Sequence, residues 1–310
     1  EKNAGGKSSF SDDKYIEAGA VLCDDKASVY AAEIILKVGP FSIQETEYLR
    51  ERQTVISSFN VKPEAEATLK AILSKKVIAI GFEYIRDNKG SYPVVSSMCE
   101  IAGSISIMIA AEYLSNANNG KGILLGGVTG ISPAEVIILG ANTAGEFAAR
   151  TAIGLGATVK IFDSNLRKLV DIQRNIGQRI FTSTYHKPVL QKALTGAEVV
   201  IGTIQLTDES NAFYITEVMV RNMKPGTIII DLSIDQGGCF ETSICTTHKH
   251  PTFQKYGITH YCVPNVPARV ARSSSIALFN IFAPIWVDIE KNVGINSFLK
   301  TDYGLLQGVY

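Results

Sequence analysis

At 310 residues the chain is too long for a small module and has room for two α/β domains of ordinary size. Its 30 lysines and arginines balance 30 aspartates and glutamates, which argues against a nucleic-acid surface or a polybasic membrane anchor, since both need local cationic excess. A hydrophobic share of 46% with 19% charged residues excludes a disordered chain.

Uninterrupted apolar runs are short, and the opening stretch EKNAGGKSSFSDDK has no apolar core. No membrane span and no secretory signal are therefore expected. Cys23, Cys99, Cys239, Cys245 and Cys262 are scattered without a Cys-x-x-Cys pair. That usage fits a reducing cytoplasm and predicts neither a disulfide framework nor a metal site. The one close histidine pair, His248 and His250, reads as polar loop.

Short β-branched runs alternate with helix-length stretches along the chain, the pattern of parallel α/β architecture. Early strands are expected at residues 33–37, 54–57 and 76–82, with amphipathic helices over 43–52 and 63–74. Pro63 suits a first helical turn. A break at 88–93 precedes a long buried helix over 100–114 and a glycine-rich hairpin in ILLGGVTGISP. Further strands are expected at 136–139, 158–162, 179–182, 199–201, 227–232 and 258–263. The stretch 275–290 is too apolar to lie on a surface. A domain boundary near Ser96 and a return near Arg272 divide the chain into residues 1–96 with 272–310, and an inserted 97–271.

The segment VIILGANTAGEFAARTAIGLGATVKIFD carries the strongest local motif. An apolar strand runs into Gly140, Asn142, Thr143, Ala144 and Gly145, a helix follows, and a second strand ends at Asp163. Gly140 permits the tight turn, Gly145 lets the helix pack close to the sheet, and exposed amides at the helix start can hold a pyrophosphate. A carboxylate at Asp163 would accept ribose hydroxyls and repel a 2′-phosphate, which favours NAD over NADP. Asn142 stands at the middle glycine position of this fingerprint, and asparagine is the side chain that best tolerates left-handed backbone.

Several other residues are candidates from their position alone. Lys37 and Glu83 each close a predicted strand, where ligands of α/β domains collect. Lys37 is either a cleft cation or a solvated strand end, and Glu83 either a cleft residue or a helix or loop partner for a nearby base. Asp231 reads as a strand terminus. Asp235 precedes Gln-Gly-Gly, which brings backbone close to something bulky. Cys239 reads as a small buried hydrophobe and not as a nucleophile. Tyr185 and His186 lie in a loop that could cover an adenosine.

Together, AEIILKVGP, SMCEIAG, GKGILLGGVTGISPAEVIILGANTAGEFAAR, VIIDLSIDQGGCFETS and HYCVPNVPARVARSSSIAL resemble the alanine dehydrogenase family, which is related to the NAD-binding component of proton-translocating transhydrogenase. The resemblance runs from Phe10 to Tyr310. It implies two doubly wound Rossmann-like domains with a cleft between them, the NAD-binding domain inserted into the substrate domain. The implied reaction is reversible oxidation of alanine to pyruvate and ammonia with NAD as cofactor, in a homo-oligomer.

By motif, Lys37 matches the family's substrate-contacting lysine and Asp235 its aspartate beside the nicotinamide. Asp163 matches the ribose acid, Lys168 a lysine near the adenosine half, and Asn265 an asparagine at the nicotinamide end. Cys99 stands where the family has a cofactor-contacting serine, and Asn60 where it has a catalytic histidine. The family's first βα unit, with its substrate arginine, is expected to be missing, and the chain is expected to be a fragment. Two other functions fit the resemblance: a transhydrogenase NAD component, and a non-catalytic NAD-binding sensor.

Overall fold

The computed structural model describes residues 1–59, 66–204, 214–292 and 294–310. The chain divides into two compact units, Glu1–Ser97 with Ala271–Tyr310, and Met98–Val270.

In the first unit three β-branched runs form parallel strands β1 (Ile34–Leu36), β2 (Thr54–Ser57) and β3 (Ile78–Gly81), side by side in that order. Ile35 stands opposite Val55, and Val55 opposite Ala79. Side chains alternate between faces along a strand, so these three join Tyr30, Phe41, Phe59 and Ile72 in one cluster. Ile56 and Ile80 point the other way, into a cluster with Phe82, Phe282 and Phe298. The helix Glu66–Ser74 supplies Ile72 to the first cluster; Pro63 lies outside the described residues. The helix expected over 43–52 is only a 3₁₀ turn, Glu45–Tyr48.

The apolar stretch near the C-terminus is the helix Ala271–Lys291. It turns Leu278, Ile281, Phe282, Ile285 and Ile289 toward the second cluster, a single stripe at helical spacing. Ile276, Phe279 and Val287 are exposed, so the expectation that this stretch is too apolar to lie on a surface is corrected: one face is buried and the other is exposed. Two stretches, Pro93–Leu114 and Val266–Lys291, are long and apolar enough by length and composition to cross a bilayer. This corrects the reading of uninterrupted runs, because single serines and glycines barely lower the mean hydropathy of a helix. In the first of them Ile107, Ile109, Ala110 and Leu114 are core residues of the second unit.

The second unit holds a seven-stranded sheet in the order β6-β5-β4-β7-β8-β10-β9. The strands are β4 (Glu135–Leu139), β5 (Thr158–Phe162), β6 (Phe181–Ser183), β7 (Val199–Gly202), β8 (Ile228–Asp231), β9 (Thr252–Lys255) and β10 (Ile258–Tyr261). All neighbours are parallel except β9 against β10. Val136, Ile138, Val199 and Ile201 enter one core, and Ile137, Leu139, Val200 and Ile229 the opposite one. Burial on both faces is why these strands read as continuous apolar runs.

From β4 the chain adds strands first to one side and then, from β7, to the other. The reversal point lies between β4 and β7, and crevices at such points receive ligands outside the carboxyl ends of the strands. Edge strand β9 was not expected from the sequence. It returns to β10 through Tyr256 and Gly257, both at positive φ (57° and 72°), as a tight two-residue hairpin requires. The expected hairpin in ILLGGVTGISP is a small turn closed by one bridge between Val128 and Ile131.

Candidate functional site

The glycine-rich turn sits at the β4/β7 reversal point and is built from contacts that exclude side chains. Gly140 has φ +111°, and a Cβ there would lie 2.5 Å from Thr203 Oγ1. A Cβ on Gly145 would lie 1.9 Å from the Gly140 carbonyl oxygen. Thr203, which immediately follows β7, locks the turn: its hydroxyl bonds the carbonyls of Leu139 (2.9 Å) and Gly140 (3.0 Å). Its part was not read from the sequence; the small polar residue directly after VVIG was the available signal. Behind the turn, a Cβ on Gly103 would lie 2.2 Å from the Ala144 carbonyl, so two helices touch backbone to backbone there.

The helix Thr143–Gly154 starts at this turn, with Ala144 and Gly145 buried and Asn142 as its N-cap. Asn142 is extended (φ −96°, ψ −174°), so the expectation that asparagine serves a left-handed backbone is corrected. It is present as a cap: Gly145 N–H donates to Asn142 Oδ1 at 3.0 Å, and Asn142 Nδ2 donates to the Thr203 carbonyl.

Asp163 follows β5 and is 8% exposed. Its Oδ2 accepts the Ala141 amide at 2.7 Å and its Oδ1 the Asn165 amide at 2.8 Å. The carboxylate therefore ties the glycine turn to the start of the next helix, Leu166–Ile176, and each oxygen retains acceptor capacity for a hydroxyl. Lys168 is exposed on the first turn of that helix. Tyr185 packs tilted against Tyr214 at 5.3 Å, and burial raises its phenol pKa above the ordinary value. Half-buried Cys99 lies on the helix Pro93–Leu114, where burial pushes its thiol up. These residues fit a group with a pyrophosphate and an adenosine ribose, with Asn142 as the one side chain in the turn where the fingerprint has none.

A second arrangement surrounds the end of β8. Asp231 is 0% exposed, and burial raises its pKa. Its carboxylate accepts the amides of Ser233 and Cys239, both at 3.0 Å, and the Ser243 hydroxyl at 2.6 Å. Gly238, at φ +83°, would place a Cβ 2.8 Å from Asp231 Oδ2, whereas around Gly237 the space is open. The bulky thing that Gln-Gly-Gly approaches is thus the Asp231 carboxylate. The loop bent around it presents Asp235 to solvent on the 3₁₀ turn Ile234–Gln236. Exposed Asn265, at φ +51°, donates its amide to Asp235 Oδ2 at 3.5 Å, so these two candidates meet. Cys239 is fully buried, and burial followed by the charge of Asp231 holds its thiol well above the ordinary value. It is no nucleophile.

In the first unit Lys37 directly follows β1 and is not a free cation. Its Nζ donates to Glu45 Oε2 at 2.6 Å and to the Pro40 carbonyl at 2.8 Å. Glu45 also accepts the Ser42 amide and the Lys26 ammonium. Burial works against its charge, but the bonds from Lys37 and Ser42 prevail and bring its pKa to about 2. Sequence reasoning missed Glu45, whose segment reads as an ordinary polar helix face. Glu83 Oε1 accepts the Phe59 backbone amide at 2.9 Å. Asn60 lies outside the described residues.

Comparison with known proteins gives two family models, the alanine dehydrogenase/PNT N-terminal domain over residues 1–102 and its C-terminal domain over 106–310. An alanine dehydrogenase of Methanococcus maripaludis is 38% identical over 100% of this chain and 83% of its own length. One of Geobacillus stearothermophilus is 36% identical over the same shares. Among solved structures, an L-alanine dehydrogenase superposes with TM-score 0.90 at 31% identity, covering 99% of this chain and 84% of its own. A transhydrogenase from Sinorhizobium meliloti superposes with TM-score 0.80 at 24% identity, covering 99% and 85%, a likeness of fold.

Proposed function

The chain belongs to the alanine dehydrogenase/PNT family, and from that premise we propose that it is an NAD-dependent alanine dehydrogenase. L-Alanine, NAD and water become pyruvate, ammonium, NADH and a proton. The observation that carries this reading is the pairing of whole-chain identity to alanine dehydrogenases with a glycine turn whose Gly140 and Gly145 admit no Cβ. The cofactor, when bound, accepts the hydride that leaves the alanine Cα.

The protein's own groups bind, orient and move protons. Lys37, steadied by Glu45, holds a substrate oxygen. Asp235, exposed and paired with Asn265, carries the proton released as water adds to the imine and ammonia departs. The amides at the start of the helix Thr143–Gly154 hold the pyrophosphate and Asp163 the ribose, which selects NAD over NADP. The apolar residues exposed on the helix Ala271–Lys291 support a homo-oligomer, and five free cysteines fit a reducing cytoplasm.

The test is NADH formation from a panel of small L-amino acids, with alanine the preferred substrate. Lys37→Ala abolishes turnover and leaves NAD affinity nearly intact. A second reading, a non-catalytic NAD sensor, rests on Asn60 standing where the family has a histidine. It requires NAD binding with no amino acid oxidised at any pH.

A further inference from the structure

Dinucleotide-binding turns ordinarily leave their middle position without a side chain, so that backbone can approach the pyrophosphate. Here that position is Asn142, and both atoms of its side-chain amide are engaged: Oδ1 accepts Gly145 N–H at 3.0 Å and Nδ2 donates to the Thr203 carbonyl. Its extended backbone (φ −96°) suits almost any residue, so no local strain selects asparagine. The first bond within the helix runs from Glu146 N–H to the Asn142 carbonyl at 2.8 Å. The amides ahead of it are the orphan donors that a phosphate uses at a helix start, and Asn142 has taken one of them.

We propose that the Asn142 side chain is an internal competitor for the pyrophosphate. In the free protein it occupies the Gly145 amide and the space the phosphates approach, and dinucleotide binding displaces it. The inference deepens the NAD reading above and rests on it. A ligand that must break an existing bond binds more weakly by the cost of that bond. Asn142 therefore sets the cofactor affinity of this chain below that of the same turn with glycine, while stabilising the free fold as a cap. Affinity and stability are opposed at this one residue.

The experiment is calorimetric titration of NAD into the full chain, with thermal unfolding of the ligand-free protein measured in parallel, for wild type, Asn142→Gly and Asn142→Ala. Replacing the cap with glycine costs the fold little, so that variant folds. Expected is a Kd for NAD that falls roughly three- to tenfold in both variants, the worth of one neutral hydrogen bond. The ligand-free Tm of Asn142→Ala falls by about 2 °C. A cap of purely structural role would lower stability with affinity unchanged or weakened, and that result overturns the proposal. An Asn142 that donates to the phosphate would give weaker binding in both variants, which overturns it equally. No NAD binding by wild type or either variant removes the cofactor reading and the competitor with it, whereas binding with unimproved variants removes the competitor alone.

Discussion

Lys37 Nζ lies 2.6 Å from Glu45 Oε2, so the lysine that closes β1 is held by a carboxylate that is itself only 8% exposed. A long flexible cation fixed in this way would lose little further freedom in the proposed contact with a substrate oxygen. Glu45→Gln keeps an acceptor for the Ser42 amide and removes the charge that holds Lys37. Its expected outcome is a kcat/KM for alanine lowered by about tenfold with NAD affinity unchanged, read by steady-state kinetics and calorimetry. Unchanged kinetics would mean that the pair only supports the fold.

The same pair predicts an acid limit. The Glu45 carboxyl is held at about 2 in the folded protein against 4.5 ordinarily. Because the folded value is depressed, its contribution to stability is complete above pH 4.5 and is lost as pH falls toward 2. In chemical unfolding followed across pH, Glu45→Gln should lose less stability over that window than wild type does.

Asp163 ties the glycine turn to the next helix and is proposed to hold the ribose, and one substitution tests both. Asp163→Ala should weaken NAD binding more than NADP binding and so narrow the preference. It should also destabilise the protein by about 1–3 kcal/mol, because the amides of Ala141 and Asn165 lose their acceptor. Titration with both cofactors and thermal unfolding check the two effects independently. Equal affinities for NAD and NADP in wild type would refute the ribose role.

Asp235 and Asn60 are the residues on which the enzyme and sensor readings part. A positioned acid or base contributes about 10²–10⁴-fold in rate, and asparagine cannot supply it because it does not titrate. Asp235→Asn should therefore be far more damaging than Asn60→Ala, and the pH–rate profile should lack a histidine-like limb near neutrality. NAD binding by wild type with no alanine oxidised at any pH, and the same binding in both variants, would favour the sensor.

The parallel strands were legible because burial on both faces writes itself as unbroken β-branched sequence, as in Val136–Leu139 and Ile228–Ile230. Strand β9 was not: TFQK is a half-exposed edge that follows Pro251, and its pairing depends on the hairpin at Tyr256 and Gly257. The failure of the helix expected over 43–52 has a similar origin. Glu45 looks like a solvated helix residue until the chain brings Lys37 and Lys26 to it, and then its carboxylate bonds inward and the segment stops at a 3₁₀ turn. Asp231 does end β8 as expected, but its hold on the following loop does not show in sequence, since only the folded loop delivers Ser233, Cys239 and Ser243 to its oxygens. Backbone demand at Gly140 shows in sequence because one residue type meets it. The partner that engages a polar side chain does not show, because it arrives from elsewhere in the chain.

His260 gives a prediction free of any functional assignment. The ring is 0% exposed on β10, stacked on Phe253 at 4.8 Å, with Nε2 2.8 Å from Thr242 Oγ1 and Nδ1 3.2 Å from the Ile258 carbonyl. Burial disfavours the charged imidazolium and lowers the pKa from 6.5 to about 4. The unfolded chain thus takes up a proton near pH 6.5 that the folded protein refuses until about pH 4, so stability falls as pH drops across that interval and levels off below it. The full loss is on the order of 3 kcal/mol, at about 1.4 kcal/mol per pKa unit. His260→Gln retains a polar group of similar reach for Thr242 and removes the titration. Denaturant unfolding from pH 7 to pH 4.5 should show a stability slope in wild type that is flattened in His260→Gln. The window lies above the range in which Glu45 titrates, so the two contributions can be read apart. Identical slopes in the two proteins would mean that the buried ring takes its proton without cost, against the geometry that encloses it.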